Sequence, residues 1–290
     1  MNITGHTKIL NLLNKAIDKG AVSHAYLFFG VENLGKFTLA QEFSKRLTGF
    51  ADSVINSNLI IVQPEVIEKK GIIKKLDIKV ENVREIQRKL SLSSSGQGRI
   101  VAIINEADRL TKAAQNSLLK TLEEPPQGVV IILVTNNKEK LLPTVLSRCQ
   151  TLRFNSLSDD EMEEVIALNT KNRDSIIFWS MGRPGLAKKI LGDTDELARR
   201  EESVKELKIL LGKSINEKFS LAESMSKNVP LALEKLDWWV MLLRKSMIEK
   251  KREKVEGEIN LIEKISNSMK VIKSANANVR LVLENLFLDF

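Results

Sequence analysis

The segment from Ala25 to Lys36 constrains this chain more than any other. Ala25-Tyr26-Leu27-Phe28-Phe29 is a short unbroken apolar run, read as a buried strand, and Gly30 stops it. Gly30-Val31-Glu32-Asn33-Leu34-Gly35-Lys36 follows with the spacing G-x-x-x-x-G-K, and residues 36–47 continue with helical periodicity. Strand, loop and helix in that order can build a phosphate cradle. The glycines let backbone N–H groups curl around an anion, the helix N-terminus adds partial positive charge, and the lysine reaches the terminal phosphates. The same residues could also form a plain strand–helix turn with an incidental lysine. Gly30, Gly35 and Lys36 are the candidate phosphate contacts, with Phe37 and Thr38 opening the helix.

The residue after the lysine should supply a hydroxyl to magnesium, and Phe37 stands there. Thr38 is no simple replacement, because one residue along a helix turns the side chain by about 100°. A second acidic element is expected where a later strand ends. Residues 99–104 read as that strand, and they lead into Asn105-Glu106-Ala107-Asp108. Asn105 occupies the place of the aspartate that holds the metal's hydration shell, and Glu106 that of a water-orienting glutamate. Phe37 and Asn105 thus weaken one metal site from opposite sides. ATP with magnesium is expected to be held weakly and hydrolysis to be impaired, with Glu106 a vestige. Lys36 and Glu106 keep open the alternative of an autonomous ATPase.

Around this element, helical periodicity marks residues 6–19, 80–92 and 111–123, and apolar runs mark strands at 58–62, 129–134 and 151–154. Such alternation predicts an α/β domain with a central parallel sheet covered by helices on both faces. After Phe154 the strand signal ends. Ser158 and Glu161 form a capping box, and the remainder reads helical, broken at Gly182, Pro184 and Gly185 and again at 192–195. Boundaries are expected after 157 and after 203, giving domains 1–157, 158–203 and 204–290.

Composition limits the function classes. One cysteine, Cys149, and two histidines argue against disulfides and a structural zinc site. No run of about 18 apolar residues suggests a membrane span, and the first residues do not fit a secretory signal, so a cytoplasmic protein is expected. The formal charge of +8 favours nucleic acid or another acidic partner. Arg84, Arg88 and Lys89 share the polar side of helix 80–92 and are the preferred DNA-facing group, through phosphates rather than bases. Trp238-Trp239 point about 100° apart on a helix, which suits core packing better than base stacking. The run Arg244, Lys245, Lys250, Lys251, Arg252 and Lys254, interleaved with Glu249 and Glu253, reads as a solvated helix face.

Three segments carry a resemblance: Ser23-His24-Ala25-Tyr26-Leu27-Phe28, the stretch Asn116 to Pro126 (NSLLKTLEEPP), and Leu146-Ser147-Arg148-Cys149-Gln150. Together they closely resemble bacterial clamp-loader subunits of the AAA+ class. The resemblance covers most of residues 1–157 and implies an AAA+ P-loop domain, a small helical lid domain and an all-helical collar domain. Gly182-Arg183-Pro184-Gly185-Leu186-Ala187 is similar to the start of the lid's sensor-2 helix, and residues 276–286 to the last collar helix. The substituted magnesium ligands, and Gly185 where the motor subunit has an arginine, are those of the delta-prime type rather than the gamma/tau motor type. The zinc module common between phosphate loop and acidic strand is missing, since residues 48–80 hold no cysteine. A short hairpin around Lys69-Lys70-Gly71 is expected instead. The partners implied are gamma/tau and delta subunits, the sliding clamp and primed DNA.

The resemblance also gives Arg148 a role: a finger projecting across a subunit boundary toward ATP held by a neighbour. The plainer alternative is a surface arginine paired with a local carboxylate. Asn136, at the end of the fourth strand, falls where the family places its sensor-1 polar residue, although a turn there would favour Asn as well. Cys149 reads as a partly buried structural thiol rather than a nucleophile.

Overall fold

The computed structural model describes residues 5–49, 58–69, 72–92, 99–210, 212, 214–249, 255–274 and 277–290. Lys70, Gly71, residues 250–254 and Asn276 lie outside the described residues. The chain divides into two compact units, one up to Leu191 and one from Gly192 to Phe290.

The first unit begins with α1 (Thr7–Asp18), β1 (Ala25–Phe29), α2 (Lys36–Thr48) and β2 (Leu59–Val62). A hairpin of β3 (Val66–Lys69) and β4 (Ile72–Lys75) follows, at the position expected for one. Next come α3 (Val80–Leu92), β5 (Ile100–Ile104), α4 (Lys112–Glu123), β6 (Val129–Thr135), α5 (Pro143–Leu146) and β7 (Gln150–Arg153). Five strands form one parallel sheet in the order β2-β5-β6-β1-β7. Alternation along each strand fills both faces. Ala25, Leu27, Ala102, Ile131 and Leu133 face one core with α3 and α4, packed by Val83, Ile86, Leu90, Leu118 and Leu122. Tyr26, Phe28, Val101, Ile103 and Ile132 face the other with α1 and α2, packed by Leu13, Leu39 and Phe43. Each large aliphatic or phenylalanine side chain among them contributes about 1.5–3 kcal/mol when fully buried, which is why strand runs without a polar face are stable here.

The first unit ends with α6 (Asp159–Val165), α7 (Arg173–Ser180) and α8 (Pro184–Gly192). Ser158 caps α6 in a complete capping box with Glu161. The second unit is all helical among the described residues: α9 (Thr194–Leu210), α10 (Ile215–Ser226), α11 (Val229–Glu249), α12 (Glu256–Ile272) and α13 (Val279–Leu288). The second expected boundary, drawn at 203, lies within α9, and the two compact units meet at 191–192. Gly192-Asp193 supplies the break, whereas nothing at 203 interrupts the helix. Trp238 and Trp239 are buried, and Trp239 Nε1 donates to the Ser203 carbonyl at 3.0 Å. Among the described residues no helix is long and apolar enough to cross a membrane.

Candidate functional site

The sheet register brings the carboxyl ends of β1, β5 and β6 together, and the candidate residues follow those strands. After β1 the chain passes directly under β7. A Cβ on Gly30 would stand 2.4 Å from the Phe154 carbonyl oxygen, so only glycine fits. Asn33 adopts φ 66°, which Asn tolerates better than most residues, and Gly35 adopts φ 84° just before α2. The result is a cleft of about 230 Å³ lined by Glu32 to Thr38, Asn105, Glu106, Val134, Thr135, Asn136 and Gly185. That is below the ~300–1,000 Å³ usual for small-molecule sites.

Lys36 lies at the bottom and is buried. Its Nζ donates to the carbonyls of Gly30 (2.7 Å) and Val31 (2.5 Å) and to Asn136 Oδ1 (2.9 Å). All three ammonium protons are therefore used. Burial pushes its pKa down to about 8, opposed by the charges of Glu32 and Asp108. Asn136 is fixed in turn. Asp108 Oδ1 accepts from the Asn136 backbone N–H (3.3 Å) and from Thr135 Oγ1 (2.8 Å). The sequence reading left Asp108 without a role, although it belongs to the same acidic segment.

The metal side of the cleft is poor in donors. Phe37 is half-buried and packs toward the core of α1 and α2. Thr38 is exposed, and Asn105 offers a neutral amide. Glu106, at φ 53°, is drawn into ion pairs with Lys75 of the hairpin and with Arg109 (3.0 Å). Arg109 also donates to the Lys75 carbonyl at 3.2 Å. Magnesium in such sites keeps several waters in near-octahedral array and takes one or two protein oxygens besides the phosphates. The two places expected to face it hold the phenyl ring of Phe37 and the neutral amide of Asn105, and Glu106 is engaged by Lys75 and Arg109. Among the described residues no cluster of His, Cys, Asp or Glu could hold a metal ion.

Helix α8 closes on the loop. Gly185 N–H, in the first turn of α8, donates to the Asn33 carbonyl at 2.8 Å. A Cβ at Gly185 would lie 2.9 Å from that same oxygen, so the place of a sensor-2 side chain is filled by backbone. His6 reaches the loop from the other side, its Nε2 2.9 Å from the Leu34 carbonyl. Burial lowers its pKa from 6.5.

Arg148 does not line this cleft. It sits between α5 and β7, with a side chain one-third exposed, and Nη2 lies 2.6 Å from Glu123 Oε1 at the end of α4. Nη1 donates to the Thr144 carbonyl at 2.9 Å. The pairing with a local carboxylate is thus present. Next to it Cys149 packs into the α3–α4 core, and burial pushes its thiol up to about 12. It is an anchor and not a nucleophile. Arg84, Arg88 and Lys89 are exposed on α3, and Lys89 pairs with Glu85 at 2.8 Å.

Residues 5–158, just over half of the chain, match the family described as DNA polymerase III, delta subunit. The chain belongs to that clamp-loader family. The chain is similar to the DNA polymerase III subunit delta' of Bacillus subtilis, 33% identical over 54% of this chain and 50% of that protein. The gamma subunit of Buchnera aphidicola from Baizongia pistaciae is 30% identical over 61% of this chain and 49% of its own length. The family chain thus spans about half the length of these curated relatives. A crystal structure of a DNA polymerase III gamma subunit-related protein from Thermotoga maritima shares the fold, with a TM-score of 0.52 and 23% identity over 96% of this chain and 97% of that one. The clamp-loader family and the AAA+ P-loop fold expected from the motifs are both present.

Proposed function

We propose that this chain is the delta-prime-type subunit of a DNA polymerase III clamp loader, helping to load the sliding clamp onto primed DNA. In this reading it sits in the cytoplasm beside gamma/tau and delta subunits, and residues 192–290 join the collar that holds the ring. Its own site is degenerate, and Arg148 acts in trans on ATP held by a neighbour. The observation that carries the reading is the combination of Phe37 and Asn105 at the places expected of magnesium ligands with an arginine held away from that cleft at the surface. A guanidinium suits the task because its fixed fork meets charge spreading over phosphate oxygens. Glu106 then acts as a structural tie for the hairpin rather than as a catalytic group. Arg84, Arg88 and Lys89 would face the DNA backbone.

The test is a loader reconstituted with its partner subunits and carrying Arg148→Ala. Clamp- and DNA-stimulated ATP turnover at the neighbouring site should fall by about 10³-fold, the lower end of the range for arginine fingers. Wild-type turnover would remove the finger. One observation favours a second reading, a motor-type ATPase: the similarity to a gamma subunit is close to that with delta'. Magnesium-dependent turnover by the purified chain, abolished by Lys36→Ala, would establish it and overturn the first.

A further inference from the structure

We propose that Glu123 is the positioning residue for Arg148, presetting the guanidinium for a neighbour's phosphate. The inference rests on the reading of Arg148 as a finger. Everything around Arg148 except its own side chain is already fixed. Cys149 is held in the core on one side. On the other, the buried Gln115 of α4 ties down the segment leading to α5: its Nε2 donates to the carbonyls of Leu110 and Lys140, both at 3.1 Å, and its Oε1 accepts from Leu142 N–H at 2.7 Å. What remains free is a long chain of rotatable bonds, whose ordering costs entropy. Glu123 and the Thr144 carbonyl hold its tip.

The placement of Glu123 is a poor choice for stability. An acidic side chain in the last turn meets the negative end of the helix, and Glu124 follows it directly. Both partners are substantially exposed, at 33% for Arg148 and 49% for Glu123, so the pair adds little to folding. What the pair supplies is geometry. The guanidinium has five N–H donors. One on Nη2 goes to Glu123 and one on Nη1 to Thr144, the latter group also lying 3.4 Å from Ser147 Oγ. Nε–H and the second Nη2 proton stay available among the described contacts. An incoming phosphate oxygen can therefore be met without releasing Glu123.

The experiment compares Glu123→Ala, Glu123→Gln, Arg148→Ala and the Glu123→Ala/Arg148→Ala pair in the reconstituted loader, after its subunit stoichiometry is verified. Glu123→Ala should lower kcat for stimulated ATP turnover by about 3- to 10-fold, with KM for ATP within about twofold, because a misplaced group costs mainly the transition state. Glu123→Gln keeps an acceptor oxygen and should retain at least about half of the wild-type kcat. In the Arg148→Ala background, Glu123→Ala should have no further effect. If Glu123→Ala is silent while Arg148→Ala is crippled, the finger stands and the positioning role fails. If both are silent, the finger reading itself is gone. A rise in kcat would mean that Glu123 sequesters the arginine. An equal loss with Arg148 absent, or loss of assembly, would assign Glu123 to general structure or to the interface. Each of these last three results also overturns the proposal.

Discussion

At the level of single side chains, Lys36 shows how far a motif can be read and where reading stops. Its place under the loop was visible from spacing, and Asn136 was named for the same cleft. That the loop's own carbonyls would take two of the lysine's three protons was not visible, because spacing carries no information on carbonyl direction. The consequence is measurable. Unfolded lysine titrates near 10.5 and the folded residue near 8. Between those values the unfolded chain still holds a proton that the folded chain has released, so stability rises with pH across that window. Below pH 8 both states are charged and the burial cost is felt in full. The displacement corresponds to ~3 kcal/mol in all, of which about 2 kcal/mol falls between pH 7.5 and pH 10. Denaturant unfolding of wild type and Lys36→Met at those two pH values should diverge by that amount, wild type gaining. Parallel behaviour would mean that the ammonium is well solvated. The partners of Glu106 and Arg148 were hidden for a different reason. Lys75 lies 31 residues before Glu106 in the chain, and only the folded sheet and hairpin bring the two together.

At the level of elements, periodicity revealed most helices and strands, since a sheet buried on both faces demands unbroken apolar runs. It missed how one element rests on another. A helix was expected after the Gly-Arg-Pro-Gly start, where α8 lies, and Gly185 was noted for lacking an arginine. Its physical role is closer contact: the α8 backbone touches the Asn33 carbonyl, and no side chain fits between. The break expected at 192–195 lies between α8 and α9, while position 203 lies inside the continuous helix α9. Gly185→Ala would put a methyl group 2.9 Å from a backbone oxygen that has no rotamer to escape by. We expect a loss of about 1–3 kcal/mol in unfolding free energy, as for overpacked cores. Gly192→Ala, whose Cβ would meet nothing within 4 Å, serves as the control and should be neutral or slightly stabilising. Equal thermal midpoints for the two variants would show that α8 moves off the loop without cost.

For the whole molecule the remaining question is whether the charge of +8 works as a diffuse field or through one surface. A diffuse field attracts any polyanion weakly and depends only on the total. A surface that meets the DNA backbone releases a counterion for each phosphate it neutralises, and affinity then falls with salt by about 0.9 logarithmic units per contact. Arg84, Arg88 and Lys89 stand together on α3, exposed, on the side opposite Val83, Ile86 and Leu90, which fill the core. Lys205, Lys208 and Lys227 are equally exposed but belong to the helical unit from Gly192 onward. Replacing either trio by alanine lowers the net charge by the same amount, from +8 to +5. In the assembled loader bound to primed DNA, the α3 trio should flatten the salt dependence by about 2 to 3 logarithmic units, while the second trio leaves the slope nearly unchanged. If both trios weaken binding alike with parallel slopes, the charge acts as a field and α3 has no special part in it. If neither matters, DNA is held by other subunits, and the surplus charge serves an acidic protein neighbour.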